Sequence, residues 1–145
     1  MTAKEYLRQI GISRERVKRL RDTINDTLYD MRMVSSPSFN ERVQTSPRDR
    51  MPEYAARLDK YERKLQREIE REEKLIIRIC QQIDRMDGVG KPDQVEHQRR
   101  VLYLRYVECI QSFSKIADTM AYSESRIHQI HSTALQAFAR QYLRK

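Results

Sequence analysis

The sequence predicts an all-α protein in which a long, coiled-coil-like helical hairpin precedes a C-terminal helix-turn-helix domain. Three observations carry that expectation. The 145 residues include only three Gly and four Pro, so helix breakers are scarce. Apolar residues recur at seven-residue spacing through two long stretches. Near the C-terminus the helical period stops, then restarts after three residues, the pattern of two helices joined by a sharp turn.

The first long helix is expected over residues 3–34. Ala3, Ile10, Val17, Ile24 and Met31 repeat every seven positions, with Tyr6, Leu20 and Leu28 beside them. A seam this narrow suits a coiled coil or a bundle helix. Gly11 interrupts it, at a cost of about 1 kcal/mol relative to Ala. Lys18, Arg19, Arg21 and Arg32 lie off the seam and read as a solvated face.

Ser35 to Arg50 loses the period. Pro37, Pro47 and the Ser, Thr and Asn between them mark a long loop, read here as a hairpin tip. Arg42, Arg48 and Arg50 in it could reach phosphate. A second long helix follows over residues 53–86. Leu58, Leu65, Ile79 and Met86 keep the seven-residue register, thickened by Tyr61, Ile69, Ile76 and Ile83. Glu72 falls on this seam, a polar break of the kind that sets register. The two helices are expected to pair antiparallel and to self-associate.

Asp87-Gly88-Val89-Gly90-Lys91-Pro92 is the clear break. Gly88 suits a helix C-cap and Pro92 a helix start. The expected division is therefore 1–87 for oligomerisation or docking, 88–92 as linker, and 93–145 as the helix-turn-helix domain. Gly-Val-Gly-Lys is no nucleotide loop, because its spacing is wrong and no Ser or Thr follows Lys91.

A helix from Asp93 to Val107 should close the C-terminal core with Val101, Leu102 and Leu104. Phe113, Ile116, Ala117 and Met120 then form one stripe, and Ile127, Ile130, Ala134 and Phe138 another. Ser112 and Ser123 stand where N-caps belong. Ala121 occupies a turn position where helix-turn-helix units commonly use a left-handed Gly, so a positive φ is expected there. The outer face of the second helix carries Glu124, Ser125, His128, Gln129 and Ser132, side chains suited to base edges in a major groove. Lys115, Arg126 and Arg140 are the expected phosphate contacts.

The formal charge of +8 points to a polyanionic partner. Residues 91–145 hold nine Lys and Arg against five Asp and Glu, and residues 1–90 hold twenty against sixteen. The shorter part is the more basic per residue. Cys80 and Cys109 have no zinc or redox spacing, and two lone thiols suit a reducing cytoplasm. His97, His128 and His131 have no nucleophile or paired carboxylate at a motif spacing, so they are expected at the surface or facing DNA, and no enzyme, cofactor or metal is expected. No run approaches the roughly 18 apolar residues of a membrane span.

Val101-Leu102-Tyr103-Leu104-Arg105-Tyr106, Phe113-Ser114-Lys115-Ile116-Ala117, Ser123 to His131 and Ala134-Leu135 together resemble the last DNA-binding region of primary bacterial sigma factors. That resemblance covers about the last third of the chain. It implies a recognition helix reading an upstream promoter hexamer, with base-reading positions falling on Glu124, Ser125 and Gln129 and a neighbouring Arg position on His128. Of these, only Gln129 keeps the sigma residue. The whole chain also resembles a family of small phage and prophage proteins of Gram-positive bacteria. The shared features are Met1 to Leu7, Ser35-Ser36-Pro37 and Glu41-Arg42-Val43-Gln44. That family implies a sigma-like transcription regulator.

Three functions compete. The leading one is a sequence-specific regulator that binds double-stranded DNA as a homo-oligomer, a dimer by preference, with RNA polymerase as a candidate second partner, in the cytoplasm of a bacterial host. The second is a DNA-packaging adaptor like a small terminase subunit. The third is a protein that binds polymerase or a host factor without reading DNA. Because Glu124 and Ser125 stand where sigma factors place Arg and Glu, the usual promoter hexamer is not the expected target.

Overall fold

The computed structural model describes residues 1–34 and 50–144. The protein is all-α, and no strand occurs among the described residues. The elements are α1 (Ala3–Leu7), α2 (Gln9–Val34), α3 (Met51–Asp84), α4 (Pro92–Leu102), α5 (Phe113–Met120) and α6 (Glu124–Phe138). π-helical turns extend α4 over Tyr103–Val107 and α6 over Ala139–Leu143. The loop expected over 35–50 lies outside the described residues, apart from the exposed Arg50.

The chain divides into two compact units: Met1–Ser13 with Glu72–Lys145, and Arg14–Arg71. The first unit starts with a capping box. Thr2 Oγ1 accepts from the Glu5 N–H at 3.2 Å, and Glu5 Oε2 accepts from the Thr2 N–H at 2.8 Å. The Thr2 N–H and hydroxyl hold the Glu5 carboxyl below its usual range. This start presents Ala3, Leu7 and Ile10 to a core shared with Ile79, Ile83, Met86, Leu102, Tyr106, Val107 and Phe138. A second cluster joins Val101, Leu104, Ile116, Ala117, Ile127 and Ile130 beneath the helix-turn-helix. The π turn after α4 feeds both clusters, Leu104 into one and Tyr106 with Val107 into the other.

The expected division at 88–92 differs from this one, because that segment lies inside the first unit. Gln98, buried, accepts from the Val89 N–H at 3.0 Å and donates to the Val89 carbonyl at 2.7 Å. Arg99 donates twice to the Met86 carbonyl, at 2.8 and 3.2 Å. Gln141 accepts from the Asp87 N–H at 2.7 Å, and Tyr142 donates to the Gln82 carbonyl at 2.8 Å. The Tyr142 bond satisfies a carbonyl in the last turn of α3, and the others pin the segment after it from two sides. Gly88 is likewise not a helix C-cap, since α3 ends at Asp84. A Cβ on Gly88 would meet Gln98 Oε1 at 2.5 Å and the Val95 methyls at 2.9 and 3.0 Å, so close approach explains the glycine. Pro92 does open α4, as expected.

The second unit contains the remainder of α2 and α3. Val17 and Thr27 are buried, while Leu20, Ile24 and Met31 on α2 and Leu58, Tyr61 and Leu65 on α3 are half-buried. The α2 seam alternates apolar and small polar positions. Thr27 satisfies its hydroxyl by donating to the Thr23 carbonyl at 2.9 Å. Leu28, expected beside the seam, is 37% exposed, and Tyr29 faces solvent.

Candidate nucleic-acid interface

The helix-turn-helix is built by three local devices. Ser112 caps α5 by accepting from the Lys115 N–H at 3.4 Å, and Ser123 caps α6 by accepting from the Arg126 N–H at 3.2 Å. Between them Ala121 takes φ +56° and ψ +43°, the left-handed conformation expected of it. The Tyr122 N–H then donates to the Ala117 carbonyl at 3.0 Å, closing the end of α5. The loop entering α5 holds a second left-handed residue, Cys109, at φ +58°. Its Sγ donates to the Tyr106 carbonyl at 3.3 Å.

One face of α6 is locked into the protein. Ile127, Ile130, His131, Ala134, Ala137 and Phe138 are buried. The opposite face exposes Glu124, Ser125, His128, Gln129 and Ser132, the five expected base-facing residues. Gln136 continues the line of Ser125 and Ser132, at the i+11 and i+4 positions, and is also exposed. Its helical spacing was readable in the sequence.

The two flanks of this face differ. On the α5 side, His128 lies against the Phe113 ring, with centroids 4.3 Å apart, and its Nε2 is 3.7 Å from Glu124 Oε1. Arg105 covers Phe113 from another direction, with Cζ 4.5 Å from the ring centroid. Arg105 also donates to the Ile110 carbonyl at 3.1 Å and to that of Gln111, which ties the loop before α5. Phe113 was expected only as a core residue; it is also the shelf that carries His128. On the α4 side, Arg126 donates through Nη1 to Gln129 Oε1 at 3.2 Å. Both line a polar cleft of about 310 Å³ between α4 and α6, together with His97 and Thr133. His97 Nδ1 is hydrogen-bonded to the Tyr122 hydroxyl at 3.0 Å.

Of the three expected phosphate contacts, Lys115 is exposed in the first turn of α5 and Arg126 is exposed in the first turn of α6. Arg140 is exposed in the π turn beyond α6, at the end opposite Glu124. The three therefore do not form one cluster.

His131 corrects the expectation that all three histidines lie at the surface or face DNA. It is 8% exposed, and its Nε2 is 2.8 Å from the Tyr106 hydroxyl. Burial, with the nearby Arg105 charge, lowers its pKa to about 4, so it is neutral at pH 7. Burial also keeps the Tyr106 phenol protonated. A neutral pair can share one hydrogen bond without an uncompensated charge. Among the described residues no group of three His, Cys, Asp or Glu could hold a metal ion, and no helix is long and apolar enough to cross a membrane.

Residues 96–138 match the family described as sigma-70, region 4. The match takes in α4 from Glu96 onward, both helices of the motif and the turn. It makes this part of the chain a sigma-like, DNA-binding helix-turn-helix. No curated protein and no solved structure matches the chain.

Proposed function

We propose that the protein is a sequence-specific transcription regulator of phage or prophage origin, with α6 as its reading helix. One observation carries the reading. An exposed polar face, from Ser125 through His128, Gln129 and Ser132, sits on a helix whose opposite face is anchored in two apolar clusters. Side chains held on a rigid helix meet base edges with little further loss of freedom. Ser125, Gln129 and Ser132 can donate or accept, His128 can donate, and Glu124 can only accept. Lys115, exposed in the first turn of α5, would meet a phosphate. The half-buried seams of α2 and α3 suit pairing between copies or docking on RNA polymerase.

The same reading places the target away from the usual upstream promoter hexamer. An Arg at position 124 could bond guanine O6 and N7, whereas Glu124 suits an amino donor such as cytosine N4. Selection from randomised duplexes tests both statements. The full chain should enrich one motif, and that motif should differ from the ordinary promoter hexamer. Binding should weaken with salt by a log–log slope of about 0.9 for each phosphate neutralised. A motif equal to the hexamer refutes the specificity statement. Salt-sensitive binding without any motif, in a ring of many subunits, favours a packaging adaptor. No binding even at low salt leaves a protein that acts through polymerase or a host factor alone.

A further inference from the structure

Arg126 was expected at a phosphate, yet its guanidinium is engaged with a neighbour on the reading face. Its Nη1 donates to Gln129 Oε1 at 3.2 Å. The direction of this bond is forced by chemistry. A guanidinium has five donors and no acceptor, so the amide atom turned to Arg126 must be the oxygen. The free end of the Gln129 amide is then Nε2, a donor. Arg126 and Gln129 are both exposed and both line the α4 side of the reading face.

We propose that Arg126 is a positioning residue that sets the base preference of Gln129, turning its amide so that the pair offers donors to the groove and reads guanine. This inference rests on α6 being the reading helix. An unrestrained Gln suits adenine, where its oxygen accepts from N6 and its nitrogen donates to N7. With Oε1 held toward Arg126 and one of its two lone pairs engaged there, it is the poorer acceptor for adenine N6, while Nε2 stays free to donate. Guanine presents two acceptors instead, O6 and N7, and matches a donor-only pair. The opposite flank carries Glu124, a pure acceptor, so the two edges of the face call for opposite base chemistry.

The test is randomised-duplex selection with the full chain as wild type, Gln129→Ala and Arg126→Met, followed by titration of the selected sites. Gln129→Ala identifies the relevant base pair as the position whose preference relaxes. Wild type should prefer guanine over adenine there by about tenfold. N7 is common to both purines, so the preference rests on O6. Substituting 2-aminopurine, which keeps N7 and lacks O6, opposite thymine should remove most of it. Arg126→Met should shift this one position toward adenine and leave the other positions as they were. Both side chains are exposed, so unchanged thermal unfolding serves as the control for folding. Adenine at this position in the wild-type site overturns the inference. So does an Arg126→Met protein that keeps the wild-type motif and binds every duplex more weakly, which is the behaviour of a phosphate contact. An unchanged motif in Gln129→Ala also overturns it. A wild type that enriches no motif refutes the reading-helix proposal itself, a result distinct from all of these.

Discussion

Each of the two compact units contains part of both long helices, yet they bury their residues very differently. In Met1–Ser13 with Glu72–Lys145, Leu7, Ile10, Ile79, Met86, Leu102 and Phe138 are wholly buried. In Arg14–Arg71, the described residues reach burial only at Val17 and Thr27. The sequence periodicity is as regular in the second unit as in the first. What differs is the number of directions from which a seam is covered. In the first unit α1, α3, α4 and α6 all contribute to one cluster. Among the described residues of the second unit no such cluster covers the seams, so most seam residues there stay half-exposed. A heptad pattern therefore reports that a stripe is apolar, not that it is buried.

The largest test of this contrast is a pair of truncations. Phe138→Ala, at 0% exposure, should destabilise by about 3–5 kcal/mol. Leu58→Ala, at a half-buried position, should cost about 1 kcal/mol, since less apolar surface returns to water. Chemical denaturation measures both. Equal losses would mean that Leu58 is covered in solution by a second copy, which sedimentation at rising concentration would reveal.

A glycine tests how tightly the first unit holds the segment after α3. Gly88→Ala should destabilise by about 1–3 kcal/mol, because Gln98 is fixed by its two bonds to Val89 and cannot give way. A neutral result in thermal unfolding would show that this segment moves independently, as the linker reading requires.

Acid should loosen the first unit through His131. Its folded pKa, about 4, lies below the unfolded value of 6.5. Between the two the unfolded state binds more protons, so stability rises with pH there. The contribution is fully present above about pH 6.5 and is lost as the pH falls toward 4, with a size of about 1–3 kcal/mol. His131→Phe should flatten that part of the stability–pH curve. A curve of unchanged slope would show that His131 is not the titrating group.

The smallest effect concerns the turn. Ala121 holds a left-handed conformation that a Cβ disfavours. Ala121→Gly should raise stability by about 0.5–1 kcal/mol in thermal unfolding, and a loss would mean that the turn relaxes without strain.

Much of α6 and its support was legible from local rules. The stripes of α5 and α6, the Ser112 and Ser123 caps, the Ala121 conformation and the Pro92 helix start follow from side chains acting on their own few neighbours. The Thr2–Glu5 capping box follows from the same kind of local spacing. Cys109 could not be read in the same way, because a cysteine carries no signal for positive φ. His131 looked like its neighbour His128, three residues away and exposed. Only the position of Tyr106 makes one of them a buried hydrogen-bonded group.

The sequence by itself determined the helical class, the two long seams and the outward polar face of α6. These depend on spacing along the chain and on the geometry of a single helix. Tertiary structure alone decided where the compact units divide, since Leu7, Met86 and Phe138 meet only once distant segments pack. On α6 it adds to pairings that lie within the helix itself. Glu124 lies beside His128, and Gln129 has its oxygen turned toward Arg126. Spacing alone makes those encounters possible, and the Phe113 ring of α5, against which His128 lies, is what tertiary structure adds to them.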